Sequence, residues 1–256
     1  MTRIRSPQLT HFLSIPLASP SLTASLTALR RDIVSTMPSF PMKAIRPVST
    51  IHLTLGVMSL DAAGPRLKAA TDALLGLQDS APDIISGAPI HIGLKGLNIF
   101  DRSTASNANV VFADVYGEDT LRLQEFADRI NRHFTQLGFV VENGTNNGKN
   151  SNGHGESSPG TEEEGVVLHA TVLNTRYATE LVPVDKNREG DANHKKGRKK
   201  HQKVRPSFDA TDLLARFEST VFMEPIHIDK LAICKMGERK PQDGGGYEVV
   251  AYIPLP

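Results

Sequence analysis

Residues 50–58 read Thr-Ile-His-Leu-Thr-Leu-Gly-Val-Met, and residues 166–175 read Val-Val-Leu-His-Ala-Thr-Val-Leu-Asn-Thr. Inside them, Ile51-His52-Leu53-Thr54-Leu55 and Leu168-His169-Ala170-Thr171-Val172 share one pattern, apolar-His-apolar-Thr-apolar. Both runs are rich in β-branched and apolar residues and read as strands. Strand side chains alternate between two faces, so His52 and Thr54 share one face while Ile51, Leu53 and Leu55 share the other. The same alternation sets His169 and Thr171 against Leu168, Ala170 and Val172. Each strand buries its apolar face under helices and presents an imidazole beside a hydroxyl. If the strands lie near one another, two imidazoles and two hydroxyls converge in one groove.

That constellation suits a specific chemistry. One histidine can take a proton from water or a 2′-hydroxyl while the other protonates the leaving oxygen. Imidazole serves both roles because its ordinary pKa, about 6.5, lies near working pH. Two threonine hydroxyls can donate hydrogen bonds to the non-bridging oxygens of a phosphate, where transition-state charge accumulates. His91 and His227 provide a contrast. They sit in Pro-Ile-His-Ile-Gly and Pro-Ile-His-Ile-Asp, with Gly93 and Asp229 two places on, and are expected to make structural hydrogen bonds.

Outward from these strands, the chain alternates helix and strand signals. His11–Ala18 reads as a strand and Ser21–Met37 as a helix, with Leu22, Leu26, Leu29 and Ile33 at helical spacing. A helix follows over Asp61–Leu77, with Pro65 tolerable only in its first turn. Residues 89–100 and 109–117 read as strands around a polar turn near Ser103–Asn107. Glu118–Gly138 is a helix with an apolar stripe of Leu121, Phe126, Ile130, Phe134 and Leu137, and Gly138 offers a C-cap. Phe139–Glu142 is a further strand, and Phe208–Phe222 is a helix with Asp209 at its N-cap. Strands over 226–236 and 246–255, joined by the Gly244–Gly246 turn, complete the pattern. Such mixing of elements implies an α/β or α+β class.

Two segments cannot join a core. Residues 143–164 hold five Asn, five Gly and no hydrophobic side chain, so nothing offsets the entropy of ordering them. Residues 186–205 hold nine Lys/Arg against two acids. With a formal net charge of +1 overall, that segment carries +7 and the remainder −6. The basic cluster Lys195, Lys196, Arg198, Lys199 and Lys200 can be a phosphate-binding arm, an import signal or a solvated loop. Asn174 and Arg176 directly follow the second motif, within reach of a ligand.

Composition narrows the class further. With 256 residues, 39% hydrophobic and 22% charged, the chain is that of an ordinary globular protein. A single cysteine, Cys234, excludes an internal disulfide framework and Cys-based zinc clusters and fits a reducing compartment. No metal-ligand set emerges and no cofactor is expected. No stretch approaches the roughly 20 apolar residues of a membrane span. Met1–Arg31 has four arginines and no acid, the composition of a mitochondrial transit segment, but it also contains the first strand signal.

The two motifs resemble the signature strands of the 2H phosphoesterase superfamily, the RNA-ligase-like or cyclic-phosphodiesterase fold. Within it, the sequence is similar to the A-kinase anchor protein 7-like phosphoesterase domain of activating signal cointegrator complex subunit 1. Besides the motifs, the resemblance rests on Thr10–Leu17, Arg122-Leu123-Gln124-Glu125, Ser207-Phe208-Asp209 and Ile226-His227-Ile228. It implies one α+β domain over 9–256, with a disordered insertion at 143–164 and a basic one at 186–205. The fold implied is bilobed, with two antiparallel sheets and outer helices around a central groove, and it claims the first strand for the domain. By resemblance, His52 and His169 are the catalytic pair and Thr54 and Thr171 bind phosphate, without a metal.

Two functions follow from the resemblance. One is a metal-independent phosphodiesterase acting on RNA ends, 2′,3′-cyclic phosphates or related nucleotides. The other is a catalytically weak RNA- or nucleotide-binding subunit of a nuclear coactivator or alkylation-repair complex. Expected partners are an RNA or nucleotide ligand and subunits of such a complex, with no membrane, in the nucleus, the cytoplasm or both. The cointegrator subunit carries a KH domain ahead of its phosphoesterase domain, whereas about nine residues precede the domain here. RNA contacts then fall to the groove or the basic insertion.

Overall fold

The two His-x-Thr segments form neighbouring strands. Strand β2 (His52–Met58) runs antiparallel to β5 (His169–Asn174), and the two are paired through Leu53 and Ala170. The computed structural model describes residues 8–61, 63–80, 87–141, 165–183, 201–238 and 245–256. The insertion at 143–164 and the cluster Lys195, Lys196, Arg198, Lys199 and Lys200 lie outside the described residues.

On one side of this pair lie β1 (His11–Pro16), β9 (Lys230–Glu238) and β10 (Tyr247–Pro254). On the other lie β4 (Val110–Tyr116), β3 (His91–Asn98) and β8 (Val221–His227). The order is β10-β9-β1-β2-β5-β4-β3-β8, antiparallel throughout. The two antiparallel sheets expected from the resemblance are joined into one curled eight-stranded sheet, with a single residue pair at the seam. A separate hairpin pairs β6 (Glu180–Pro183) with β7 (His201–Val204), so the last part of the basic segment is a strand rather than a loop.

Helices α1 (Pro20–Thr36), α2 (Pro65–Leu75), α3 (Thr120–Gln136) and α4 (Thr211–Phe217) cover the outer face. Helix α1 starts one residue before the expected Ser21: the Ser19 hydroxyl accepts from the Leu22 amide and Pro20 occupies the first turn. Its Leu22, Leu26, Leu29 and Ile33 enter one core with Leu13, Ile15, Leu53, Leu55, Ala170 and Val172. In α3 the buried stripe is Leu123, Phe126, Ala127, Ile130 and Phe134, whereas Leu121 is 78% exposed. Burying each large apolar side chain of that stripe contributes about 1.5–3 kcal/mol relative to exposure. Gly138 takes φ 73° after the helix, the left-handed turn a C-cap requires.

Three expectations are corrected. The helix expected over Phe208–Phe222 spans only Thr211–Phe217, because Phe222 is drawn into β8, where it is fully buried. Asp209 caps its start from one residue further back, accepting from the Thr211 amide. The apparent single strand over 226–236 breaks at Ile228–Asp229: β8 belongs to one end of the sheet and β9 to the other. Of the strand expected over Phe139–Glu142, the described part, residues 139–141, contributes one bridge, Val140 to Met58, and Glu142 lies outside the described residues.

Candidate active site

His52, Thr54, His169 and Thr171 all point away from the helical core. Leu53, Leu55, Ala170 and Val172 are buried to 1% exposure or less, and the four polar residues that alternate with them are partly exposed. Counting outward from the Leu53–Ala170 pair, His52 stands opposite Thr171 and Thr54 opposite His169. Diagonal positions across such a pair are about 7–8 Å apart, so both imidazoles lie within reach of one phosphate. The arrangement is pseudo-twofold about the seam.

The strands flanking the seam extend the symmetry. On β1, Ser14 pairs with Thr54 and Leu13 with Gly56, so Leu55 bulges out of register. On β4, Phe112 pairs with Thr171 and Val111 with Leu173, so Val172 bulges at the same place in its motif. Each bulge carbonyl, lost to the ladder, has another donor. The Asn131 side chain of α3 donates to Leu55 O at 2.5 Å, and the Arg46 backbone amide donates to Val172 O at 2.9 Å. Gly56 is required beside the first bulge, since a Cβ there would meet Val140 at 2.8 Å.

Each imidazole is fixed by the backbone two residues before it. His52 Nδ1 lies 2.7 Å from Thr50 O, and His169 Nδ1 lies 2.8 Å from Val167 O. A carbonyl only accepts, so Nδ1 carries the proton in both rings and Nε2 is the atom left for chemistry. Thr50 is held in turn by its hydroxyl on Pro47 O. Ahead of His169, α3 grips Val166 from both sides: Asp128 accepts its amide at 2.7 Å and Gln124 donates to its carbonyl at 2.9 Å. Among the described residues, neither the Thr54 nor the Thr171 hydroxyl has a hydrogen-bond partner.

Aromatic rings crowd both histidines. Phe12 and Tyr247 lie 4.8 and 5.3 Å from the His52 ring, and Phe100 and Phe112 lie 4.9 and 5.1 Å from the His169 ring. This desolvation pushes the His52 pKa down to about 4; the Thr50 carbonyl opposes the shift, and Arg46 and His169 add to it. Burial likewise lowers His169, against the opposing effects of its carbonyl bond and of the Asp114 carboxylate. Asp114 is the register partner of His169 on β4, whereas the partner of His52 on β1 is Pro16. The two halves match in backbone and differ in charge.

Several groups near the groove are invisible to motif reading. Buried Arg46 donates to the Tyr247 hydroxyl at 3.1 Å and stacks 3.6 Å over the Tyr177 ring. It stands six residues before His52, Tyr247 belongs to β10, and only the fold joins them. The amide oxygen of Asn174 accepts from Arg205 and from the Arg176 amide, which fixes this partly exposed side chain at the end of β5. His91 and His227 stand opposite each other on β3 and β8, away from the seam, with rings 5.6 Å apart. His227 Nε2 is bonded to Pro256 O at 2.5 Å, and the amide of His91 donates to Asp119. Burial raises the Cys234 pKa, keeping the thiol protonated. Among the described residues, no three His, Cys, Asp or Glu side chains gather as a metal site. No described helix is long and apolar enough to cross a membrane.

A family model described as "AKAP7 2'5' RNA ligase-like domain" matches residues 9–255. The chain is 29% identical over 187 residues to activating signal cointegrator 1 complex subunit 1 of Mus musculus, a match covering 70% of this chain and 45% of that protein. Two solved structures also align. One, a protein of Thermus thermophilus, is 15% identical with a TM-score of 0.46, over 96% of this chain and 97% of its own. The other, titled phosphoesterase, is 12% identical with a TM-score of 0.38, over 97% of this chain and 99% of its own.

Proposed function

The chain belongs to the AKAP7 2'5' RNA ligase-like domain family, a branch of the 2H phosphoesterases, and we propose that it is a metal-independent phosphodiesterase of RNA ends, 2′,3′-cyclic phosphates or related nucleotides. The observation that carries this reading is the pairing of two Nε2 atoms with two unbonded threonine hydroxyls on one face of the β2–β5 seam. On this reading residues 9–256 are one domain, and 143–164 and 186–205 are insertions in it.

The direction of each pKa shift supports one assignment of the roles. His52, neutral above about pH 4, offers a lone pair at Nε2 and is the base. It takes the proton of a water or 2′-hydroxyl as that oxygen bonds to phosphorus. The bond from phosphorus to the leaving oxygen breaks, and His169, protonated on both nitrogens and favoured in that state by Asp114, gives its Nε2 proton to that oxygen. Thr54 and Thr171 donate to the non-bridging oxygens. Exchange with solvent returns both rings to their starting states.

The test uses a short RNA ending in a 2′,3′-cyclic phosphate, incubated with protein in EDTA. Turnover by the wild-type chain, reduced at least a hundredfold in both His52→Ala and His169→Ala, is expected. The mouse relative is named as a subunit of a cointegrator complex, which supports the complex membership in a second reading: a catalytically weak RNA- or nucleotide-binding subunit of a nuclear coactivator or repair assembly, present in the nucleus, the cytoplasm or both. Groove-dependent RNA binding without turnover of any RNA end would replace the first reading by the second.

A further inference from the structure

Two arginines meet where β5 ends. The turn Thr175–Ala178 follows β5 directly and carries exposed Arg176. Arg205, which follows β7, folds back to the same place. It donates through Nε to Thr175 Oγ1 at 3.0 Å and through Nη2 to Asn174 Oδ1 at 3.0 Å and Asn109 O at 3.3 Å. All three acceptors are neutral. Among the described residues, neither arginine is paired with a carboxylate. The two charges are close enough that Arg176, after burial, lowers the Arg205 pKa. Like charges held together against neutral acceptors make a site that gains from an anion.

Position decides which anion. Asn174 lies three residues beyond Thr171, about 10 Å along the strand, too far for the arginines to share the reacting phosphate. They also stand at the His52 end of the seam, since His52 is opposite Thr171. Tyr177, 41% exposed and backed by Arg46 at 3.6 Å, lies beside Arg176 as a stacking surface. At the other end of the seam, His169 faces the carboxylate of Asp114, which repels a further phosphate.

We propose that Arg176 and Arg205 form a second phosphate subsite, so that the preferred substrate is an oligonucleotide extending past His52 by at least one further phosphodiester. This rests on the reading of the groove as a nucleotide site, and its test separates the two. A labelled 2′-O-methyl tetranucleotide, which lacks the 2′-hydroxyl nucleophile, is titrated by fluorescence anisotropy between 50 and 200 mM salt. In Arg176→Gln the Kd is expected to rise about fivefold and the slope of log Kd against log salt to fall by about 0.7. Arg205→Gln is expected to act in the same direction. The same substitutions are expected to raise the KM for a 2′,3′-cyclic mononucleotide, which has no further phosphodiester to place there, by much less than they raise the tetranucleotide Kd. Unaltered tetranucleotide affinity and slope in both variants, or an equal loss for the mononucleotide, overturns the subsite. Failure of the wild-type chain to turn over any cyclic phosphate, with Arg176-dependent binding intact, overturns the catalytic reading and leaves the subsite standing.

Discussion

His52 and His169 are the same side chain in the same local frame, and their surroundings make them different. Asp114 faces His169, Lys95 stands next to Asp114 on β3, and Arg102 reaches Asn98, which donates to Asp114. His52 faces Pro16 and feels Arg46 instead. The sign follows. As pH rises through about 4, His52 loses its proton and becomes a base. As pH rises further, His169 loses the proton it must donate, at a value below the ordinary 6.5. The kcat/KM profile of the free protein is therefore expected to be a bell with its maximum on the acid side of 6.5. Asp114→Asn removes a charge that opposes the lowering of His169, so the alkaline limb moves to lower pH while the acid limb stays. An unmoved alkaline limb would show that Asp114 does not tune the acid. The four polar residues of the seam were legible in the sequence because alternation alone sets which face they share. Asp114, Arg46 and Tyr247 were not, because their positions depend on register between distant strands.

At the scale of elements, α3 is a brace across the seam. Asn131 holds the bulge of β2, and Gln124 with Asp128 holds the entry to β5. One helix thus fixes both histidine strands. Asp128→Ala leaves the half-buried Val166 amide without an acceptor and is expected to cost about 1–3 kcal/mol. Because His169 hangs from the adjacent carbonyl, kcat should fall about tenfold with KM little changed, as thermal unfolding and steady-state kinetics can check. A loss of stability with kcat intact would confine Asp128 to the fold. The helices α1 and α3 were readable because their apolar residues repeat at helical spacing. The break at Ile228–Asp229 was not. Both sides of it are apolar and β-branched, and local periodicity carries no information about which end of a sheet a strand joins.

For the whole molecule, charge is distributed against its proposed ligand. The chain outside 186–205 carries −6, so long-range attraction to RNA depends on the basic segment. The described strands on either side of residues 184–200 pair as the β6–β7 hairpin, which departs just after the Arg176 turn and returns at Arg205. Replacing 186–200 by a Gly-Ser linker is expected to leave thermal stability and cyclic-mononucleotide turnover unchanged. RNA affinity should weaken most at low salt, and its salt slope should flatten. Equal salt slopes with and without the segment would make it a solvated loop.

The place of β1 in the sheet has a consequence for how the chain is made. One edge of β1 pairs with β2, which follows within 60 residues, but the other pairs only with β9, beginning at Lys230. At about 5–20 residues per second, synthesis of the chain between β1 and β9 takes on the order of ten to forty seconds. Throughout that interval the nascent His11–Pro16 strand presents an open, apolar edge, the kind of template on which chains pair wrongly. The His52 end of the seam gains Tyr247 only when β10 arrives, so a ribosome that stalls before Lys230 leaves six of the eight strands with β1 as an open edge.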